Sequence, residues 1–344
     1  MLFILWKKTV SFYQLLLFNK SEELFMSFNW CFIGAGKIAQ KVAKEVVTNP
    51  GHAIVSVYNR TKSKAESFAK IYHSTVYESA LEAINDPRVD GVYIATTNDT
   101  HFSFTKLCLE NHKPVLCEKP ITGNAKELEE LIKLSKENKT FLCEAMWTWF
   151  NPIAKQVKEW IKENKIGAIK KVDCRFNVPL FGYKKKGSRL SNVNRYGGAL
   201  LDLGVYPVRY IYELFGVPHS IEAKAKLYNG VDVVNISEFI YYDKTAKVSS
   251  RMDRFNGEYC FIVGEVGVIK VPFFHMASKA ILTYEGEKIV VKDKEKKFAR
   301  QFASAANDIK MGKLEGEISL ESSLDVMKIM DEIRKQIGVK FPCD

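Results

Sequence analysis

The stretch Cys31-Phe32-Ile33-Gly34-Ala35-Gly36-Lys37-Ile38-Ala39 constrains this chain more than any other. A short apolar run ends at Gly34, and apolar residues then recur at Ile38, Val42, Val46 and Val47 with helical spacing. The pattern predicts a strand, a tight turn and a helix. Gly34 permits the turn, Gly36 lets the main chain approach a diphosphate, and the small Ala39 lets the helix pack on its strand. The free N–H groups at the helix N-terminus then face phosphate with partial positive charge. Gly34, Gly36, Lys37 and Ile38 are therefore the first expected cofactor contacts.

The following residues continue the pattern. Strands are expected at Ile54 to Tyr58, Val76-Tyr77, Asp90 to Ala95, Val115 to Cys117 and Phe141 to Glu144. Helices are expected between them at Ser63 to Ile71, Ala80 to Ile84, Thr100 to Asn111 and Ala125 to Asn138. Such alternation argues for a parallel sheet with helices on both faces. After Trp147 the character changes to one amphipathic helix (Pro152 to Asn164), a strand (Ile169 to Val178), a polar loop and an apolar helical run to Phe215. Seven strand patterns follow between Ile221 and Val291, and helices near Lys297 to Met311 and Leu320 to Ile337 close the chain.

The fold class expected is α/β: an N-terminal Rossmann domain with a doubly wound parallel sheet, over residues 27–147. An α+β domain with a large, mostly antiparallel open sheet occupies 148–344 and serves substrate binding and oligomerisation. One face of that sheet is expected to be broadly apolar and to support a homodimer or homotetramer. Residues 1–26 mix apolar residues with Lys7, Lys8 and Lys20 and lack both the order of a secretory signal and the length of a membrane span. They read as an extension outside the fold, with Met26 the alternative start.

The chain's 344 residues suffice for two cores, and 47% apolar with 26% charged residues is ordinary globular composition. The net charge of +11 is spread along the chain, and the clusters Lys184-Lys185-Lys186 and Lys292 to Lys297 are short. They read as solvated loops rather than a nucleic-acid surface, while the overall field suits an anionic dinucleotide. Seven cysteines without a CxxC pair or zinc spacing point to free thiols, no metal site and a reducing, cytoplasmic compartment.

Three further groups of residues carry chemistry. The second strand ends in Tyr58-Asn59-Arg60-Thr61, with no acid for an adenosine ribose and with Arg60 and Lys64 one helical turn apart. That favours NADP, with NAD the alternative. Glu118-Lys119-Pro120 ends a buried strand, where open parallel sheets bind ligands, although a Glu118–Lys119 salt bridge is an equally simple reading. Thr96, Asn98 and His101 follow the preceding strand and, with Asn59, are expected cofactor contacts, although His101 alone reads as a helix-start or packing residue. In Gly197-Gly198-Ala199-Leu200-Leu201-Asp202-Leu203-Gly204-Val205-Tyr206-Pro207, a helix would put Asp202 and Tyr206 on one face. A phenol there acts as acid or base once its pKa is lowered, as the Lys119 ammonium would do. Pro207 would bend the turn after Tyr206.

These motifs, in this order, resemble the Gfo/Idh/MocA oxidoreductase family from about Phe28 to the C-terminus. Glu144-Ala145-Met146-Trp147-Thr148 and Ile337-Gly338-Val339-Lys340-Phe341-Pro342 are most similar to its dimeric dihydrodiol dehydrogenase and NADP-dependent D-xylose dehydrogenase branch. The resemblance implies Lys119 and Tyr206 as the catalytic pair, with Asp202 orienting substrate or aiding proton transfer. It places Glu118 and Lys119 against cofactor as well. That branch often has Arg where this chain has Trp149, a position expected near the substrate.

The reading is an NADP-dependent oxidoreductase acting on a sugar, polyol or cyclic diol, with Trp147, Trp149, Phe150, Phe176 and Phe181 as a stacking wall. The alternatives are an inositol or other sugar-derivative dehydrogenase, in which Lys184 to Arg189 would bind an anionic group, or an NADP(H)-binding regulator without turnover.

Overall fold

The computed structural model describes residues 27–294 and 298–344. The N-terminal extension and the start of the helix expected at Lys297 lie outside the described residues. The first part of the chain runs β1 (Phe28–Ile33), α1 (Lys37–Val46), β2 (His52–Tyr58), α2 (Lys62–Tyr72), β3 (Thr75–Val76) and α3 (Ala80–Ile84). It continues with β4 (Gly91–Ile94), α4 (His101–Glu110), β5 (Val115–Glu118), α5 (Ala125–Glu137) and β6 (Leu142–Ala145). The six strands are all parallel in the order β3-β2-β1-β4-β5-β6. Trp30 to Ile33, Val92 to Ile94 and Val115 to Cys117 are fully buried, as strands covered by helices on both faces must be. The order reverses between β1 and β4, which opens a crevice at their carboxyl ends.

The second part contains α6 (Pro152–Lys162), β7 (Ile169–Asn177), α7 (Val205–Phe215), β8 (Ser220–Tyr228), β9 (Val231–Ile240) and β10 (Thr245–Arg251). Then follow β11 (Glu258–Gly264), β12 (Gly267–Pro272), β13 (Lys279–Tyr284), β14 (Glu287–Lys292), α8 (Ala299–Lys310) and α9 (Leu320–Ile337). The eight strands order as β14-β13-β12-β11-β7-β10-β9-β8, antiparallel throughout except for the parallel pair β7 and β10. Alternation sets the faces: Val172, Cys174 and Phe176 of β7 and Cys260 and Ile262 of β11 are buried towards α7. The opposite face is not the broad apolar surface expected. Phe261 and the exposed Ile236 share it with Lys171, Lys247 and the paired Asp173 and Arg175.

Two departures bear on the site. Leu200–Gly204 forms a π-helical turn that leads directly into α7, and Val205 N–H donates to Leu200 O. The bend expected at Pro207 therefore takes the form of a wider turn before Tyr206, leaving Pro207 in the first turn of α7, where its missing N–H is tolerated. The last helices also return to the first sheet. Phe298 and Ala299 N–H groups donate to Glu45 Oε2 of α1 at 2.8 and 3.3 Å. Phe302 is fully buried against Trp30, Phe32 and Tyr93, so truncating it to alanine is expected to cost about 3–5 kcal/mol.

Candidate active site

A cavity of about 750 Å³ opens at the carboxyl ends of β1, β2, β4 and β5 and is closed on its far side by residues of the large sheet. Gly34 leaves β1 with φ +107°, and a Cβ there would lie 2.5 Å from Ala95 O, so the turn requires glycine. A Cβ on Gly36 would meet nothing within 4 Å. Gly36 is also the N-cap of α1, whose first turn has no side-chain cap and no acid. An open, uncapped, positively polarised helix start fits a diphosphate, and Lys37, Ile38 and Lys41 line the same space. Asn59 steadies this turn, accepting from Ala35 N–H at 3.1 Å and donating to Thr61 O at 2.9 Å. Arg60 and Lys64 line the cavity's outer end, exposed and with no ion pair among the described residues. Two open cations beside an absent ribose acid fit a 2′-phosphate.

The strand ends supply the next layer. Asn98 is buried and donates to Tyr196 O at 3.1 Å. His101 opens α4, fully buried, with Nδ1 2.8 Å from Pro120 O; burial lowers its pKa and keeps the ring neutral. It is thus a packing residue that also lines the cavity beside Thr96. Glu118 accepts from Tyr93 Oη at 2.5 Å, and burial raises its pKa. The Glu118–Lys119 salt bridge is absent; Lys119 Nζ instead donates to the main-chain oxygen of Asp202 at 2.8 Å.

That contact brings Lys119 to Tyr206, 4.5 Å from Nζ to the ring centroid. Trp147 Nε1 donates to Tyr206 Oη at 3.1 Å. The expectation that Lys119 lowers the Tyr206 pKa overall needs correcting. Burial pushes the phenol above its ordinary value, and Lys119 and the Trp147 hydrogen bond pull it down only in part. The phenol therefore keeps its proton as it stands. Asp202 also differs from the free proton partner expected: Arg189 Nη1 grips both its carboxylate oxygens at 2.9 and 3.2 Å. Arg189, the last residue of the stretch Lys184 to Arg189 expected to serve an anionic group, lines the cavity already paired with Asp202.

The aromatic wall is smaller than the sequence implied. Trp147 and Phe176 line the cavity, with Phe176 and Tyr206 ring centroids 5.5 Å apart. Trp149 does not. It packs edge-on against Tyr210 at 6.1 Å, under Lys158. The turn Trp147–Phe150 is 3₁₀, so residues two apart point in different directions, and Trp147 alone of the pair reaches the cavity. Phe150 is buried in the core and Phe181 is 62% exposed, both outside the cavity lining. Phe298 and His275 complete the wall instead. Neither stands in a motif that periodicity reveals.

Among the described residues, no group of three His, Cys, Asp or Glu side chains is placed to hold a metal, and no helix is long and apolar enough to cross a membrane. Residues 28–145 match the oxidoreductase family with an NAD-binding Rossmann fold, and residues 154–270 match the GFO/IDH/MocA C-terminal domain. A trans-1,2-dihydrobenzene-1,2-diol dehydrogenase of Xenopus tropicalis is 29% identical over 92% of this chain and 100% of its own. A scyllo-inositol 2-dehydrogenase (NADP(+)) of Bacillus subtilis is also 29% identical, over 92% and 98%. A 3-ketoreductase from Actinomadura kijaniata, solved with NADP and TDP-benzene, has the same fold, with a TM-score of 0.81 at 21% identity over 90% of this chain and 98% of that one. With matched regions running through both sheets, the chain belongs to the GFO/IDH/MocA family of oxidoreductases.

Proposed function

We propose that this protein is an NADP-dependent dehydrogenase whose substrate is a secondary hydroxyl of a sugar, polyol or cyclic diol. The observation that carries the reading is the meeting of Lys119, after β5, with Tyr206, in the first turn of α7, beside a glycine turn and two open cations. The relatives named above act on diol and inositol hydroxyls, and one of them uses NADP.

Gly34 and Gly36 with the α1 N-terminus hold the diphosphate, Arg60 and Lys64 the 2′-phosphate. The bound nicotinamide supplies hydride transfer. Tyr206 handles the proton of the substrate oxygen. In its protonated form, which burial favours, it donates to a carbonyl oxygen undergoing reduction. In the oxidative direction it accepts the hydroxyl proton, and Lys119 stabilises the phenolate that begins the step. Arg189 fixes the Asp202 carboxylate so that the turn bearing the Lys119 acceptor stays in place. Both members of the pair are present and adjacent, which argues against a regulator without turnover. The seven unpaired thiols fit a reducing, cytoplasmic setting.

The test is initial rates of NADP⁺ and NAD⁺ reduction over aldoses, inositols and trans-dihydrodiols. NADP⁺-preferring turnover is expected. Tight NADPH binding without turnover on any of them would favour the regulator.

A further inference from the structure

His275, paired with Glu258, stands on the cavity wall without a role in the reaction described so far. Glu258 is the first residue of β11, in register with Phe176 of β7. The Phe273 N–H donates to Glu258 O at 2.9 Å, which lays the 3₁₀ turn Phe274–Met276 over the start of that strand. Two contacts then lock the His275 ring. Its Nδ1 is hydrogen-bonded to Glu258 Oε1, and its face stacks on Phe176 with centroids 4.2 Å apart and planes 24° from parallel. Trp147 meets it edge-on at 5.7 Å, and the Tyr206 ring centroid lies 5.6 Å away.

A carboxylate only accepts, so the shared hydrogen belongs to Nδ1, and with that single ring proton Nε2 is an acceptor. Nε2 has no partner among the described residues and is not among the buried unpaired atoms, whereas His275 lines the cavity. The surfaces around it, Trp147, Phe176 and Phe298, are apolar. An imidazole acceptor fixed on such a wall, one ring's width from the Tyr206 phenol, suits a second oxygen of the same small molecule.

We propose that His275, oriented by Glu258, accepts a hydrogen bond from a substrate hydroxyl adjacent to the one whose proton Tyr206 handles, and so selects vicinal diols over simple alcohols. His275 is a specificity-determining residue in this scheme and Glu258 a positioning residue. The proposal rests on the dehydrogenase reading and deepens it.

The experiment compares trans-cyclohexane-1,2-diol with cyclohexanol, which differ by that second hydroxyl. Both kcat/KM with NADP⁺ and binding to the NADP⁺-loaded protein are measured, the latter by tryptophan fluorescence. Wild type is expected to favour the diol about tenfold, the scale of one neutral hydrogen bond. His275→Phe keeps the stack on Phe176 and is expected to lose the preference, chiefly through KM. His275→Gln, which restores an acceptor, and Glu258→Gln, which still accepts from Nδ1, are expected to retain part of it, whereas Glu258→Leu loses it. A preference unchanged in His275→Phe, or equal or absent binding of both probes by wild type, overturns the proposal. A binding preference that His275→Phe abolishes, without turnover of any hydroxyl compound, upholds the subsite and removes the dehydrogenase reading.

Discussion

Lys119 and Asp202 meet through the main chain rather than through their charges. Lys119 Nζ donates to the Asp202 carbonyl oxygen at 2.8 Å, while Arg189 holds the Asp202 carboxylate. The π turn from Leu200 to Gly204 presents that carbonyl, and the same turn delivers Tyr206 into the first turn of α7. The ammonium thereby makes no direct ion pair among the described residues and lies close to the phenol it must influence.

Removing either member of this pair has a defined consequence. Lys119→Met and Tyr206→Phe are each expected to lower kcat by about 10²–10⁴-fold, the usual range for a positioned proton-transfer group. NADPH affinity, read by fluorescence titration, is expected to change far less for Tyr206→Phe. A Tyr206→Phe enzyme with near-normal kcat would exclude the phenol as proton carrier.

Cofactor choice is expected to reside in two exposed side chains. Replacing Arg60 and Lys64 together with alanine should raise KM for NADP⁺ about 10–100-fold, since a hydrogen bond to a charged group contributes about 1.5–3 kcal/mol. KM for NAD⁺ should hardly move, because NAD⁺ lacks the phosphate. An equal rise for both cofactors would assign these residues to the fold of the loop instead.

Arg209 lies one turn beyond Tyr206 on α7 and is almost fully buried, with Glu144 Oε2 2.7 Å from Nη2 and the Ser322 and Ser323 hydroxyls also in reach. Glu144 Oε1 in turn accepts from Ile121 N–H, two residues after Lys119. Arg209→Met is expected to destabilise the protein by about 3–5 kcal/mol in urea denaturation, because it strands a buried carboxylate. Adding Glu144→Gln removes that charge and keeps the acceptor for Ile121, so the double variant should recover part of the loss. No recovery would mean that packing, rather than charge, dominates at Arg209.

Asp232 predicts a pH effect of definite sign. It is buried beneath the Gly197-Gly198 turn and accepts from Leu200 N–H at 2.8 Å. Burial pushes its carboxyl from 3.8 up to about 7, against the Leu200 hydrogen bond. Between those values the folded protein keeps a proton that the unfolded chain has released, so this group's contribution to stability falls as pH rises from about 4 to 7 and is flat beyond. Asp232→Asn keeps an acceptor for Leu200 and cannot ionise. Its stability relative to wild type should therefore increase across that window, as denaturation at pH 5 and pH 8 would show; a constant difference would contradict the assignment.

What the sequence by itself determined follows from short-range repetition. Alternating strand and helix patterns specified the parallel sheet, the glycines after β1 specified the phosphate turn, and the motifs containing Lys119 and Tyr206 marked the pair that the fold brings together. These features depend on residues within a turn or a strand of one another, where backbone geometry fixes which side chains share a face.

Only the tertiary structure decided the rest. It turned Trp149 away from the cavity, gave Asp202 to Arg189, sent Phe302 back into the core of the first sheet and set Glu258 against His275. In each case the partner is chosen by packing between segments far apart in the chain or by a loop without period. Trp147 and Trp149, two residues apart in one short 3₁₀ turn, go to different environments because different segments pack against each. The outer face of the large sheet shows the same limit: strand alternation marks an outward side, but which residues of eight strands come together on it is set by a pairing order that no single strand encodes.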